Sequence, residues 1–229
     1  MKILEDLITN IVEAYASTPN IGLRGKLGFS MLLLKISQYC GEREKTLLSI
    51  AQCQLNDSLY ALQESLSDKN SSSSIIEIGL GLAYLNEQGF LEASTSIDFR
   101  FFDQFVQKRV NNREVTESSY YEIIYLILYL YYRIKIEESP SLENYINRET
   151  LIYAIDWLDC DILHLEKFAN EAWGTLIQIS QLSIYQYKID KIASKLSPTV
   201  NWNSSIPIGI ELFQIPKLYL ILAWIKLQN

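Results

Sequence analysis

Apolar residues recur at every third or fourth position over most of this chain. This is the spacing of amphipathic α-helices, whereas β-strands alternate at every second residue. The pattern predicts helices over residues 3–14, 27–38, 47–62, 75–88, 99–106, 120–136, 148–157, 165–182 and 184–196, and a last apolar stretch up to residue 227. The polar run 68–74 is predicted to be a loop that also supplies the N-cap of the next helix. The predicted fold class is therefore all-α.

The helix predicted at 120–136 is apolar on almost every side, which is typical of a helix at the centre of the packing. Small residues also recur near the starts of apolar helices, and they suggest repeated helical hairpins that approach one another closely. These residues are Gly22, Gly25, Gly28, Gly79, Gly81, Gly174 and Gly209. We expect a single all-helical domain over residues 1–229, with the curved, layered shape of a helical array.

The charge of the chain restricts its partners. About half of the residues (48%) are hydrophobic and 21% are charged, as in a packed globular protein, and the formal net charge is -7. Nucleic acid is therefore not expected as a ligand, because phosphate contacts depend on clustered Lys and Arg. The basic cluster at 107–113 is either a solvated helix end or an anion site.

The expected location is the cytoplasm. Glu5 and Asp6 lie where a secretory signal needs a basic start and an apolar core, so no targeting peptide is expected. The most apolar stretch, 123–132, is much shorter than the roughly 20 residues that cross a bilayer, so no membrane span is expected. The three cysteines, Cys40, Cys53 and Cys160, have no close pairing and are expected to be reduced and largely buried.

Tyrosines are concentrated in the helix predicted at 120–136. They could line a ligand site, or they could pack between helices with their hydroxyls reaching solvent or backbone. The candidate binding residues are Tyr84, Tyr121, Tyr125 and Trp173.

No catalytic apparatus is evident from residue spacing, so no catalytic residue, metal or cofactor is predicted. His164, the only histidine, lies four residues after Cys160 and near several acids. That group could hold a metal, or it could be an acidic helix start with an incidental histidine. The available acids do not form a pair that spacing singles out for hydrolysis. They are Asp98, Asp103, Glu114, Glu117 and Glu122.

Two glycine-containing motifs carry a family resemblance. Residues 22–34 (GLRGKLGFSMLLL), followed by 38–42 (QYCGE), resemble the opening repeat of lanthionine synthetase C-like (LanC-like) proteins, which are double-layered α/α toroids. Residues 78–92 (IGLGLAYLNEQGFLE) are similar to the second repeat, particularly in short forms found beside peptide-maturation genes. Ser74 and Glu77 stand where that second repeat usually has glycine. Over residues 93–200 the similarity is in helix length and order only.

The resemblance implies an incomplete α/α toroid built of helical hairpins, since the chain has fewer of them than the family's closed rings. Active cyclases of the family hold zinc with two cysteines and a histidine, one cysteine lying directly beside that histidine. No cysteine here is followed by histidine, because Gly41, Gln54 and Asp161 follow the three cysteines. The resemblance therefore implies a LanC-like protein without the zinc ligands.

Three functions follow as hypotheses. The first is a non-catalytic protein that binds a peptide or protein partner, as an accessory factor in peptide natural-product maturation or export. The second is a carboxylate-dependent hydrolase or transferase of the α/α-toroid type. The third is a structural homo-oligomer. The apolar segment 206–227 either closes the array internally or contributes to an intermolecular surface.

Overall fold

The described part of the chain is all-helical, as the apolar periodicity predicts. The computed structural model describes Thr9, Glu13 and residues 21–38, 44–65, 72–91, 98–113, 120–137, 140–160 and 168–203. Eight helices cover most of these residues, and none of the described residues forms a strand. No helix among them is long and apolar enough to cross a bilayer.

The described residues belong to two compact units, the first ending at Gly81 and the second beginning at Leu82. This boundary falls inside the third helix. The expectation of a single domain over 1–229 remains a prediction. The first unit contains α1 (Lys26–Ser37), α2 (Glu44–Ser65) and most of α3 (Ser72–Glu87). The second contains the rest of α3 and five more helices, which are α4 (Arg100–Asn112), α5 (Tyr120–Ile136), α6 (Leu142–Cys160), α7 (Ala169–Ser180) and α8 (Gln186–Leu196).

In the first unit, α1 is the buried helix and packs along α2. Ten of its twelve residues are buried, so it is covered on nearly all sides. Two polar contacts join it to α2 without interrupting the apolar packing. The Ser30 hydroxyl donates to the Ala51 carbonyl at 2.7 Å, and Lys26 forms an ion pair with Asp57 at 2.7 Å.

Close packing at the start of α1 explains two of the glycines. A Cβ atom added to Gly28 would lie 1.7 Å from the carbonyl oxygen of Leu23, and one added to Gly81 would lie 2.7 Å from Cδ2 of Leu27. The turn before α1 is also tied to α3, because the Leu23 amide donates to the Glu77 carboxylate at 2.7 Å. The predicted role of glycine in close helix approach is confirmed at Gly81, whereas Gly28 is required by the turn that precedes its own helix.

In the second unit, α5 is the central helix. Its side chains are buried without interruption from residue 122 to residue 134. It packs against α6 and α7, while α6 also contacts α4 and α8. The prediction that the segment 120–136 is central and helical is therefore confirmed, including its bounds.

Helices α2, α3 and α6 begin three or more residues earlier than their sequence patterns predict, and α2 starts at Glu44 rather than at residue 47. Helix α6 starts at Leu142 rather than near Arg148, because the Ser141 hydroxyl caps it by accepting a hydrogen bond from the Asn144 amide at 3.0 Å. Helix α3 starts at Ser72, so part of the serine run expected as a loop is helical. The helix predicted at 3–14, apart from Thr9 and Glu13, and the stretch 206–227 lie outside the described residues.

The expectation of largely buried cysteines is wrong for two of the three. Cys53 and Cys160 are exposed, and neither forms a disulfide. Each lies on the outward side of its helix, a position that the apolar pattern alone did not distinguish from the core. Cys40 lies outside the described residues.

Candidate functional site

All four predicted binding residues contact other aromatic rings, and three of them are tyrosines that are buried or half-buried. Tyr84 is buried with its ring edge-on to Tyr132, the centroids being 5.4 Å apart. Tyr125 is also buried and stacks on the half-buried Tyr121 at 6.3 Å. Tyr121 in turn contacts Phe168, with a centroid distance of 4.2 Å. These contacts are those of tyrosines that pack between helices.

The fourth predicted residue, Trp173, lies nearer the surface. Its ring is edge-on to Trp202 at 5.2 Å, and Trp202 is 58% exposed. These ring contacts therefore join only Tyr121 and Tyr125 directly, whereas Tyr84 and Trp173 contact other rings. Their role in binding remains a prediction.

Three tyrosine hydroxyls on α5 form hydrogen bonds with other side chains. Tyr131 donates to Gln181 Oε1, and the amide nitrogen of Gln178 donates to the hydroxyl of Tyr132, both at 2.8 Å. Tyr129 donates to Asp103 at 2.6 Å. Burial and the nearby Asp103 carboxylate raise the pKa of Tyr129 well above its usual value, so this hydroxyl keeps its proton.

The described candidate acids are held by arginines. Asp103 pairs with Arg133 at 3.0 Å, and Glu122 pairs with Arg109 at 3.0 Å. Both carboxylates are buried, whereas Asp98 pairs with its neighbour in sequence, Arg100, on the surface. Burial would lower the pKa of Arg133, but the hydrogen bonds and charge of Asp103 outweigh it and raise that pKa. Glu114 and Glu117 lie outside the described residues.

Near the candidate metal ligands Cys160 and His164 in the sequence, an acidic side chain forms ion pairs with lysines. Asp159, at the end of α6, forms ion pairs with Lys188 at 2.9 Å and with Lys195. Burial alone would raise its pKa, but these lysines outweigh burial and hold the pKa of Asp159 at about 2. The described residues contain no group of three metal-ligating side chains, and His164 lies outside them. Whether a metal binds there remains a prediction.

The most exposed apolar side chains of the second unit include three on one side of α6. Leu142 is 72% exposed, Tyr145 is 64% exposed and Tyr153 is 48% exposed. They lie at intervals that place them, together with Glu149, on the same helix face. The Tyr153 hydroxyl donates to Glu149 Oε1 at 2.8 Å. We call Leu142, Tyr145, Glu149 and Tyr153 the outer face of α6.

The opposite side of α6 faces the core and is also apolar. Leu151, Ala154, Ile155 and Leu158 are fully buried there. Helix α6 therefore carries apolar residues on two sides, and the described part of the chain covers only one of them. Single exposed apolar residues are common on protein surfaces, but several along one helix face are typical of an interaction site.

Sequence reasoning missed the outer face because the predicted helix began near Arg148, after Leu142 and Tyr145. The signal that could have found it is Ser141, a preferred N-cap residue directly after Pro140. With the helix extended to Leu142, a second apolar stripe becomes visible beside the core stripe. Which stripe is exposed still depends on the neighbouring helices.

Comparison with known proteins adds no assignment. No family model, no curated protein and no solved structure matches this chain.

Proposed function

We propose that this chain is a non-catalytic helical protein that binds a peptide or another protein, and that the outer face of α6 is its contact surface. The observation that carries the proposal is the exposure of Leu142, Tyr145 and Tyr153 on one side of one helix. All three belong to a helix whose other side is anchored in the core. A partner would therefore meet a rigid surface.

The residue types on the outer face suit protein recognition. Burying exposed apolar surface stabilises a complex by about 25 cal/mol per Å². Tyrosine adds a large contact area at a small loss of conformational entropy, and it is enriched among the residues that dominate binding energies. Tyr145 and Tyr153 are therefore the expected anchors, with Leu142 extending the contact.

The proposal includes the LanC-like resemblance, with an incomplete α/α toroid and an accessory role in peptide natural-product maturation or export. Two glycines of the resembling motifs, Gly28 and Gly81, are required by close packing in the first unit. Because Gly81 of α3 meets the side chain of Leu27 on α1, this supports the view that the second motif specifies how two helices approach one another. The proposed binding role does not require a metal or a catalytic residue.

Site-specific photo-crosslinking in the native host tests the proposal. A photoreactive phenylalanine derivative replaces Tyr145 or Tyr153, and a control chain carries it at Tyr60, which is 69% exposed on α2. We expect discrete crosslinked products from positions 145 and 153 and none from position 60. Equal labelling at all three positions, or none at any, would contradict the proposal. A product the size of two copies of the chain would favour the structural homo-oligomer instead.

A further inference from the structure

The shape of the outer face indicates what kind of partner would fit it. Its four residues follow one another at intervals of three, four and four positions. Because each residue adds 1.5 Å along a helix axis, the face extends for about 16 Å over three turns. A narrow, straight stripe of this length matches the apolar side of another helix lying along it.

The charge of the outer face indicates the charge of the partner that would fit it. Glu149 lies one helical turn from Tyr145 on one side and one turn from Tyr153 on the other. A carboxylate has more acceptor sites than the single hydrogen bond from Tyr153 uses, so it can accept hydrogen bonds from a partner. Aromatic ring faces attract cations as well.

The charged side chains of α6 next to Glu149 do not neutralise its charge on the outer face. Arg148 donates from Nε to the Asn144 side chain at 2.7 Å, which directs it along a different side of α6. Asp156, one turn beyond Tyr153, is already paired with Lys188 at 3.0 Å. Glu149 is therefore the charge that a partner helix would meet at the centre of the outer face. The net charge of -7 on the whole chain attracts a cationic partner over longer distances.

We infer that the occupant of the outer face is a cationic amphipathic helix, with apolar residues against Leu142 and the two tyrosines and an arginine or lysine opposite Glu149. This inference rests on the proposed function and specifies the partner's chemistry. Arginine fits better than lysine, because its planar guanidinium can bind the carboxylate with two hydrogen bonds while stacking on a tyrosine ring.

Two synthetic peptides test the inference on the full chain. Both are amphipathic helices with the same leucine stripe, one flanked by arginines and the other by glutamates. Fluorescence anisotropy measures their dissociation constants at low and moderate salt. We expect the arginine peptide to bind about tenfold or more tightly than the glutamate peptide, with a preference that weakens as salt rises.

Matched variants separate the outer face from unspecific attraction. Glu149→Gln removes the central charge and is expected to weaken binding of the arginine peptide about fivefold. Glu143→Gln removes the same charge from another side of α6 and is expected to leave the affinity unchanged. Tyr145→Ser should weaken binding of the arginine peptide further, while its circular dichroism stays that of the unmodified chain.

The possible results distinguish this inference from the proposed function. If Glu149→Gln and Glu143→Gln weaken binding equally, or if the glutamate peptide binds as tightly as the arginine peptide, the cationic partner is refuted. If neither peptide binds although positions 145 and 153 still crosslink to a partner, the cationic helix is wrong and the contact surface stands. If binding and crosslinking are both absent, both proposals fail.

Discussion

Arg133 donates two hydrogen bonds to the carboxylate of Asp103, from Nε and Nη2, each at 3.0 Å. The Tyr129 hydroxyl adds a third donor to the same carboxylate at 2.6 Å. The guanidinium also lies over the ring of Phe99, 4.5 Å from its centroid. This cluster joins α4 to α5 inside the second unit, where both charged side chains are buried.

Removing one partner of this pair should be far more harmful than removing both. Arg133→Met leaves the Asp103 carboxylate buried without its cation, and we expect the free energy of unfolding to fall by about 3–5 kcal/mol. Urea titration followed by circular dichroism measures it. The double variant Asp103→Leu with Arg133→Met should recover much of the loss, because no unpaired charge remains.

Arg100→Met is the control for this experiment, because it breaks an ion pair on the surface rather than in the core. Little change in stability is expected from it. If the urea midpoint of Arg133→Met is as high as that of Arg100→Met, the buried Asp103–Arg133 pair does not hold α4 and α5 together.

Glu77 should make the fold less stable at neutral pH than it would be with a neutral side chain. Burial raises its pKa above the usual 4.5, against the opposing hydrogen bond from the Leu23 amide. Its contribution is therefore most favourable below pH 4.5 and is lost as pH rises through the raised value. Glu77→Gln keeps an acceptor for Leu23 and cannot ionise. We expect it to have a higher melting temperature than the unmodified chain at pH 7, with the difference disappearing below pH 4.5.

The contribution of Asp159 to stability should have the opposite pH dependence to that of Glu77. The lysines around Asp159 lower its pKa from 3.8 to about 2, so its stabilising contribution is present above pH 3.8 and is lost as pH falls towards 2. Asp159→Asn should therefore lower stability at pH 6, and the difference from the unmodified chain should shrink between pH 4 and pH 2. Urea titrations at several pH values measure this.

Lys191→Gln is a suitable comparison for Asp159, because its amine lies 3.8 Å from that carboxylate, farther than Lys188. The Lys191→Gln variant should retain most of the pH dependence of stability that the unmodified chain has. If Asp159→Asn has the same pH profile as the unmodified chain, the lysines do not stabilise the folded state through this carboxylate.

Gly28→Ala should destabilise the first unit more than Gly81→Ala. The added Cβ at Gly28 meets a backbone carbonyl at 1.7 Å, so the turn before α1 must move. At Gly81 the closest atom is Cδ2 of Leu27, at 2.7 Å, and a side chain can adjust more easily. We expect a loss near the upper end of about 1–3 kcal/mol for Gly28→Ala and a smaller loss for Gly81→Ala. Equal melting temperatures for the two variants would contradict this packing.

Helix positions were largely predictable from the chain because helical periodicity is a local property. The segment 120–136 shows this best, since its apolar residues occupy every side and so specify both a helix and a central place for it. The start of α6 was missed because Ser141 begins it through a side-chain cap, which adds no apolar periodicity. The burial expected for Cys53 and Cys160 was wrong because a small apolar residue fits either side of a helix.

By itself the sequence determined the helical class, the approximate helix bounds and the need for small residues at Gly28 and Gly81. Only the tertiary structure decided that Asp103 pairs with Arg133, thirty positions away, and that Leu142, Tyr145 and Tyr153 remain exposed. The physical reason is that backbone hydrogen bonding and apolar periodicity act within a few residues of the chain. Ion pairing and exposure depend instead on which distant helices cover each side of a given helix.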